Sequence, residues 1–74
     1  MSTKPQNDIN QIGLNIAYFR KAKGMKQKDL AEAVYISNNY LCEIETRKKI
    51  PTVQLIYNIA DALEIPVNKI FEEH

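Results

Sequence analysis

Ile9, Ile12, Ile16 and Phe19 recur at steps of three and four along the start of the chain. That spacing lays one apolar stripe along an amphipathic helix, which the pattern closes near Gly24. Leu30, Ala31 and Val34 resume the pattern in a second helix predicted to open near Gln27. Leu41 and Ile44 mark a third, with Ser37 as its N-cap. A polar, basic run follows, and then Pro51-Thr52 opens a fourth helix with Val53, Ile56, Ile59, Ala60 and Leu63 as its buried stripe. Pro66 breaks the chain, and residues 67–73 have room for one more short turn or two of helix. No alternating run bounded by turn residues supports a strand. Residues 1–8 carry no pattern and read as a flexible arm ahead of a single domain spanning 9–74.

Length limits what such a chain can do. The 74 residues are 45% hydrophobic, enough for one small domain. A domain of this size buries only about 60% of its unfolded surface, which favours an exposed binding face or a dimer over a deep catalytic cavity. No apolar run approaches the roughly 20 residues of a membrane span. The opening MSTKPQND lacks the apolar core of a signal peptide. Cys42 is the only cysteine, so no internal disulfide can form. The expected location is the cytoplasm.

The net charge of +1 says little, but its distribution is uneven. Residues 20–49 hold eight Lys or Arg against four Asp or Glu, whereas residues 50–74 hold one Lys against four acids. Positive charge gathered in one region is the footprint of a phosphate-binding face. A solvated mixed-charge surface is the plainer alternative.

Within the basic half, Ser37-Asn38-Asn39-Tyr40 opens the third helix with four polar-tipped side chains, two of them poor helix formers. If Leu41 and Ile44 face inward, helical spacing sends Asn38, Asn39 and Glu43 outward. Amides there cost the helix little, because its first backbone donors have no internal partners. A carboxamide can bond adenine through N6 and N7 in the major groove, and a carboxylate can accept from cytosine N4. The plainer alternative makes Asn38 and Asn39 simply a polar helix start; Glu43, which repels phosphates if misplaced, has exclusion of other sequences as its alternative to a direct contact. Catalysis finds no support: His74 is the only histidine, and there is no Gly-rich phosphate loop, no Cys–His nucleophile arrangement and no metal-ligand set. Neither cofactor nor metal is expected.

Residues 12–71 resemble the helix-turn-helix domain of the Cro and phage-repressor (XRE-like) type. The resemblance is carried by Arg20, Gly24 and Gln27, by Asp29-Leu30-Ala31, by Ser37 through Glu45, by Lys48 and Pro51-Thr52, and by Ile59-Ala60 with Ala62-Leu63. It implies an all-α, compact five-helix lambda-repressor-like bundle with a central helix-turn-helix. It implies that Gln27 holds a phosphate, that Asn38 and Asn39 read bases with Glu43 one turn on, and that Arg20 pairs with Glu45 structurally. Further phosphate contacts are expected from Lys28, Ser37, Tyr40, Thr46, Arg47, Lys48 and Lys49. Where the family usually carries glycine after its second, third and fourth helices, this chain has Tyr35, Arg47 and Glu64. Lys26 stands where a Ser or Thr usually caps the second helix.

Leu55 and Ala62 form a spare apolar edge on helix four, and Ile65, Ile70 and Phe71 add to it at the chain end. A domain this small is expected to cover them by dimerising, as related regulators do through this end. Two functions then compete. One is a sequence-specific regulator, most simply a repressor, acting as a homodimer on a two-fold-symmetric stretch of double-stranded DNA without a small-molecule effector. The other is a protein-interaction module, an antitoxin or adaptor, on the same fold. RNA binding is a weaker third option, because no basic motif interleaved with stacking aromatics is present.

Overall fold

A computed structural model describes residues 7–72, with side chains described from Gln11 onward. Residues 1–6 of the expected arm, and Ile9 as a core side chain, lie outside the described residues. Five helices follow one another: α1 (Asn7–Ala22), α2 (Gln27–Ala33), α3 (Asn38–Glu45), α4 (Val53–Leu63) and α5 (Asn68–Phe71). No strand occurs among the described residues. The helices expected from the apolar spacing, and the five-helix bundle that the resemblance implies, are the fold observed.

The helix starts are chemically plain. Ser37 Oγ accepts from Tyr40 N–H at 3.0 Å and Thr52 Oγ1 from Leu55 N–H at 3.1 Å, each satisfying a donor that the helix cannot. Lys26 supplies no side-chain cap to α2; instead the Asp29 carboxylate reaches back to accept from Lys26 N–H at 3.1 Å. This is half of a capping box, and it restores part of what the missing Ser or Thr would give.

The helix ends repeat one device four times. After α1, Met25 N–H donates to Arg20 O and Gly24 N–H to Lys21 O, both at 3.0 Å. Ile36 to Ala31 with Tyr35 to Glu32 closes α2, and Lys48 to Glu43 with Arg47 to Ile44 closes α3. Ile65 to Ala60 with Glu64 to Asp61 closes α4. This double closure requires one left-handed residue. Gly24 takes it at φ 80°, but Tyr35, Arg47 and Glu64 take it at 63°, 68° and 61°. The replaced glycines therefore leave the turns unchanged, and each side chain holds a backbone that costs roughly 1–2 kcal/mol.

Ile12, Ile16, Leu30, Ala31, Val34, Leu41, Ile44, Ile56, Ile59, Ala60 and Leu63 form one core with Leu55 and Ile70. Two expectations for α4 are corrected here. Val53 is exposed, and Leu55 is only 8% exposed, because the ridge Leu55–Ile59–Leu63 faces the core and turns the buried sector away from Val53. Ile70 is fully buried, since α5 folds back onto α1. Asn15, only 1% exposed, makes that junction: its Nδ2 donates to the carbonyls of Ile70 at 2.7 Å and Glu72 at 2.6 Å, with Lys69 O at 3.4 Å. At the α1–α3 crossing, Gly13 lies directly on the Ile44 carbonyl, with no room for a Cβ.

Candidate nucleic-acid interface

The apolar mount of α3 is Leu41 and Ile44, both buried against α1 and α2. With these inward, the first turn of α3 presents Asn38 and Asn39 to solvent, and both are exposed. Tyr40 is half-buried, its ring packed on the core. Ser37 accepts through Oγ from Tyr40 N–H, so its own hydroxyl proton is still available to donate. Thr46 is different. Its Oγ1 donates to Cys42 O at 2.8 Å, closing the end of α3, so its single hydroxyl proton is committed. Among the expected phosphate donors, Thr46 is the one whose chemistry is already used within the helix.

The basic side chains divide in the same way. Lys28, Arg47 and Lys48 are exposed and have no acid within ion-pair distance among the described residues. Lys49 Nζ lies 3.6 Å from the Glu43 carboxylate. Glu43 also anchors this loop through its backbone, accepting from Lys48 N–H at 2.8 Å and Lys49 N–H at 3.2 Å. Its half-buried side chain is therefore partly screened by a neighbouring cation and does not stand as a bare charge on the outer face.

Behind α3, Arg20 and Glu45 are both buried and form a two-point pair, Nε to Oε2 at 2.7 Å and Nη2 to Oε1 at 3.0 Å. This is the structural pair that the resemblance implied. Two further bonds were not legible in the sequence. Arg20 Nη1 donates to Met25 O at 2.9 Å, and Gln27 Nε2 donates to Glu45 Oε1 at 3.0 Å. The end of α1, the start of α2 and the end of α3 are thus joined through one carboxylate. No buried side-chain nitrogen or oxygen among the described residues lacks a hydrogen-bond partner.

The expected dimer residues are not one surface. Leu55 and Ile70 belong to the core of a single chain, Ala62 and Ile65 are half-buried against it, and Phe71 is 43% exposed. Leu14 and Tyr18, unnoticed in the sequence because they flank the α1 stripe, are exposed on the helix that packs against α5. Among the described residues no cluster of three His, Cys, Asp or Glu could hold a metal ion, and no helix is long and apolar enough to cross a membrane.

A helix-turn-helix family profile matches residues 16–70. The chain is 38% identical over 58 residues to the uncharacterized HTH-type transcriptional regulator YazB of Bacillus subtilis, covering 78% of this chain and 84% of that protein. Among solved structures, the clp gene regulator ClgR from Corynebacterium glutamicum superposes with a TM-score of 0.80 at 30% identity, over 84% of this chain and 67% of that one. The restriction-modification controller protein C.AhdI from Aeromonas hydrophila gives 0.82 at 26% identity, over 88% and 98% of the two chains. The five-helix fold agrees with these superpositions, and the chain belongs to the helix-turn-helix family of transcriptional regulators.

Proposed function

We propose that this chain is a non-enzymatic, cytoplasmic regulator that binds a specific double-stranded DNA sequence as a homodimer and represses by occupying its site. The observation that carries this reading is the first turn of α3. Asn38 and Asn39 are exposed there, on a helix whose other face is fixed by Leu41, Ile44 and the Arg20–Glu45 pair. Rigid placement matters because base readout depends on two bonds per amide being met together. Lys28, Arg47 and Lys48, with no acid within ion-pair distance among the described residues, are suited to phosphate oxygens and would set affinity more than preference.

Dimerisation would use Phe71, Ala62 and Ile65, the members of the apolar end that the single chain leaves partly open. Leu55 and Ile70 would support that face from the core side. Two reading helices held by such a dimer would stand about 34 Å apart, matching half-sites about 10–10.5 base pairs apart.

Selection of bound sequences from a random duplex pool tests this directly. The expected product is an inverted repeat with that spacing, bound with a strong salt dependence. A selection that enriches no motif, together with stable capture of one protein partner, would replace this reading with the interaction-module one.

A further inference from the structure

We infer that Glu45 is a positioning residue for DNA binding: it holds the Gln27 carboxamide so that one N–H stays directed away from the protein for a backbone phosphate oxygen. The inference rests on the DNA-binding reading above and adds to it a link between the packing lock and a ligand contact.

The chemistry begins with what a carboxylate can do. Ionised Glu45 only accepts, so the end of the Gln27 side chain that meets it must be the nitrogen. The observed bond, Nε2 to Oε1 at 3.0 Å, has that polarity. Fixing the nitrogen fixes the amide: Oε1 faces away from Glu45, and of the two Nε2 protons one is used and one remains. A free glutamine on a half-exposed surface would present oxygen or nitrogen in turn, and the oxygen end repels phosphate. Glu45 removes that ambiguity before DNA arrives.

The holder is itself held. Arg20 takes both oxygens of Glu45, at 2.7 and 3.0 Å, and its remaining nitrogen bonds Met25 O in the segment leading into α2. Gln27 opens α2 and Glu45 closes α3, so this carboxylate ties a phosphate-contacting side chain to the far end of the reading helix. Both partners of the ion pair are buried, which makes the arrangement stiff. A packing role alone would use the Gln27 bond only to tie α2 to α3 and would give no coupling between Gln27 and Glu45 in DNA affinity. Pre-ordering a long side chain of this kind is worth roughly 2- to 10-fold in affinity.

The test is a mutant cycle read as duplex affinity at fixed salt. Gln27→Ala is measured in the wild type and in an Arg20→Met/Glu45→Leu background, where apolar side chains replace the whole ion pair and leave no buried charge behind. The expected result is a several-fold loss from Gln27→Ala in the wild type that shrinks to under about twofold in the apolar background. An equal loss in both backgrounds overturns the inference and leaves DNA binding standing. A wild type that binds no duplex overturns both. Because the apolar background can fail to fold, the Gln27 side-chain amide is also followed by NMR in the free wild type, assigned by its disappearance in Gln27→Ala. One slowly exchanging and one fast-exchanging N–H supports the inference, and two fast ones overturn it.

Discussion

Gly13 and the Ile44 carbonyl are in backbone contact, and this contact sets how closely α3 lies against α1. A Cβ built on Gly13 would overlap Ile44 O and press on Ile44 C at 3.2 Å. Glycine inside a helix costs about 0.5–1 kcal/mol relative to alanine. Here that cost is offset by letting α3 seat fully on α1, with its Ile44 side chain buried. The obstacle is backbone, so no rotamer change relieves it.

Gly13→Ala should therefore destabilise the fold despite alanine's better helix propensity. Overpacking costs about 1–3 kcal/mol, of which the propensity gain returns about 1 at most. Urea unfolding of the two proteins measures the difference. A variant as stable as the wild type would mean that α3 can shift without loss.

Tyr35 should behave in the opposite sense. Its side chain is 94% exposed while its backbone sits at φ 63°, so it has strain and almost no packing to set against it. Tyr35→Gly relieves roughly 1–2 kcal/mol of left-handed strain and adds back about 0.5–1 of unfolded-chain entropy. The net gain expected is about 0.5–1 kcal/mol, or a rise of several degrees in Tm for a domain of about this length. A fall in Tm would show that the phenol makes a contact worth more than the strain.

Asn15 is the buried amide on which α5 depends. Asn15→Leu keeps the branching of the side chain, with somewhat more bulk, but strands the carbonyls of Ile70 and Glu72, which are bonded at 2.7 and 2.6 Å in the native chain. Leaving buried acceptors unpaired costs about 1–3 kcal/mol. Hydrogen exchange should show the amides of 68–71 losing protection before those of α3. Uniform loss across the chain would count against a local latch.

Glu64 provides a small pH-dependent contribution. The Lys23 ammonium, 2.7 Å away, holds its carboxyl below the ordinary 4.5, chiefly by hydrogen bonding and then by charge. A folded value below the unfolded one means stability that is present above about 4.5 and lost as pH falls through the folded value. The pair is exposed, so the contribution is small. In an NMR titration, Lys23→Met should return Glu64 to the ordinary range, and an unchanged midpoint would exclude Lys23 as the cause.

What could be read from the sequence follows from what is local. Steps of three and four place α1, α2 and α3, Ser37 marks the cap of α3 and Pro51-Thr52 the opening of α4, because helix period and capping involve residues within one turn. At the start of α4 the structure departs from the expected face: periodicity gives a direction, but its width on either side depends on the neighbour, so Leu55 rather than Val53 is buried. Ile70 looked spare because only the fold brings α5 back to Asn15, more than fifty positions away. Gly13 and the Gln27–Glu45 bond were silent for the same reason, since each has its meaning only opposite a distant partner. The three left-handed residues were legible as a question, and the closures after α2, α3 and α4 answer it.

Asn38 and Asn39 are proposed to read bases, and binding to two duplexes tests that role. Wild type, Asn38→Ala and Asn39→Ala are each bound to the selected operator and to a scrambled duplex at one salt concentration. Both side chains are exposed on the first turn of α3, and alanine is a strong helix former, so the fold should be unaffected and Tm serves as the control. An amide paired with adenine is worth roughly 1–3 kcal/mol of discrimination, whereas non-specific affinity comes from phosphates. The expected outcome is a loss of about 5- to 150-fold on the operator for at least one variant, with little change on the scrambled duplex. If both variants keep the wild-type ratio of the two affinities, the amides that open α3 do not read bases.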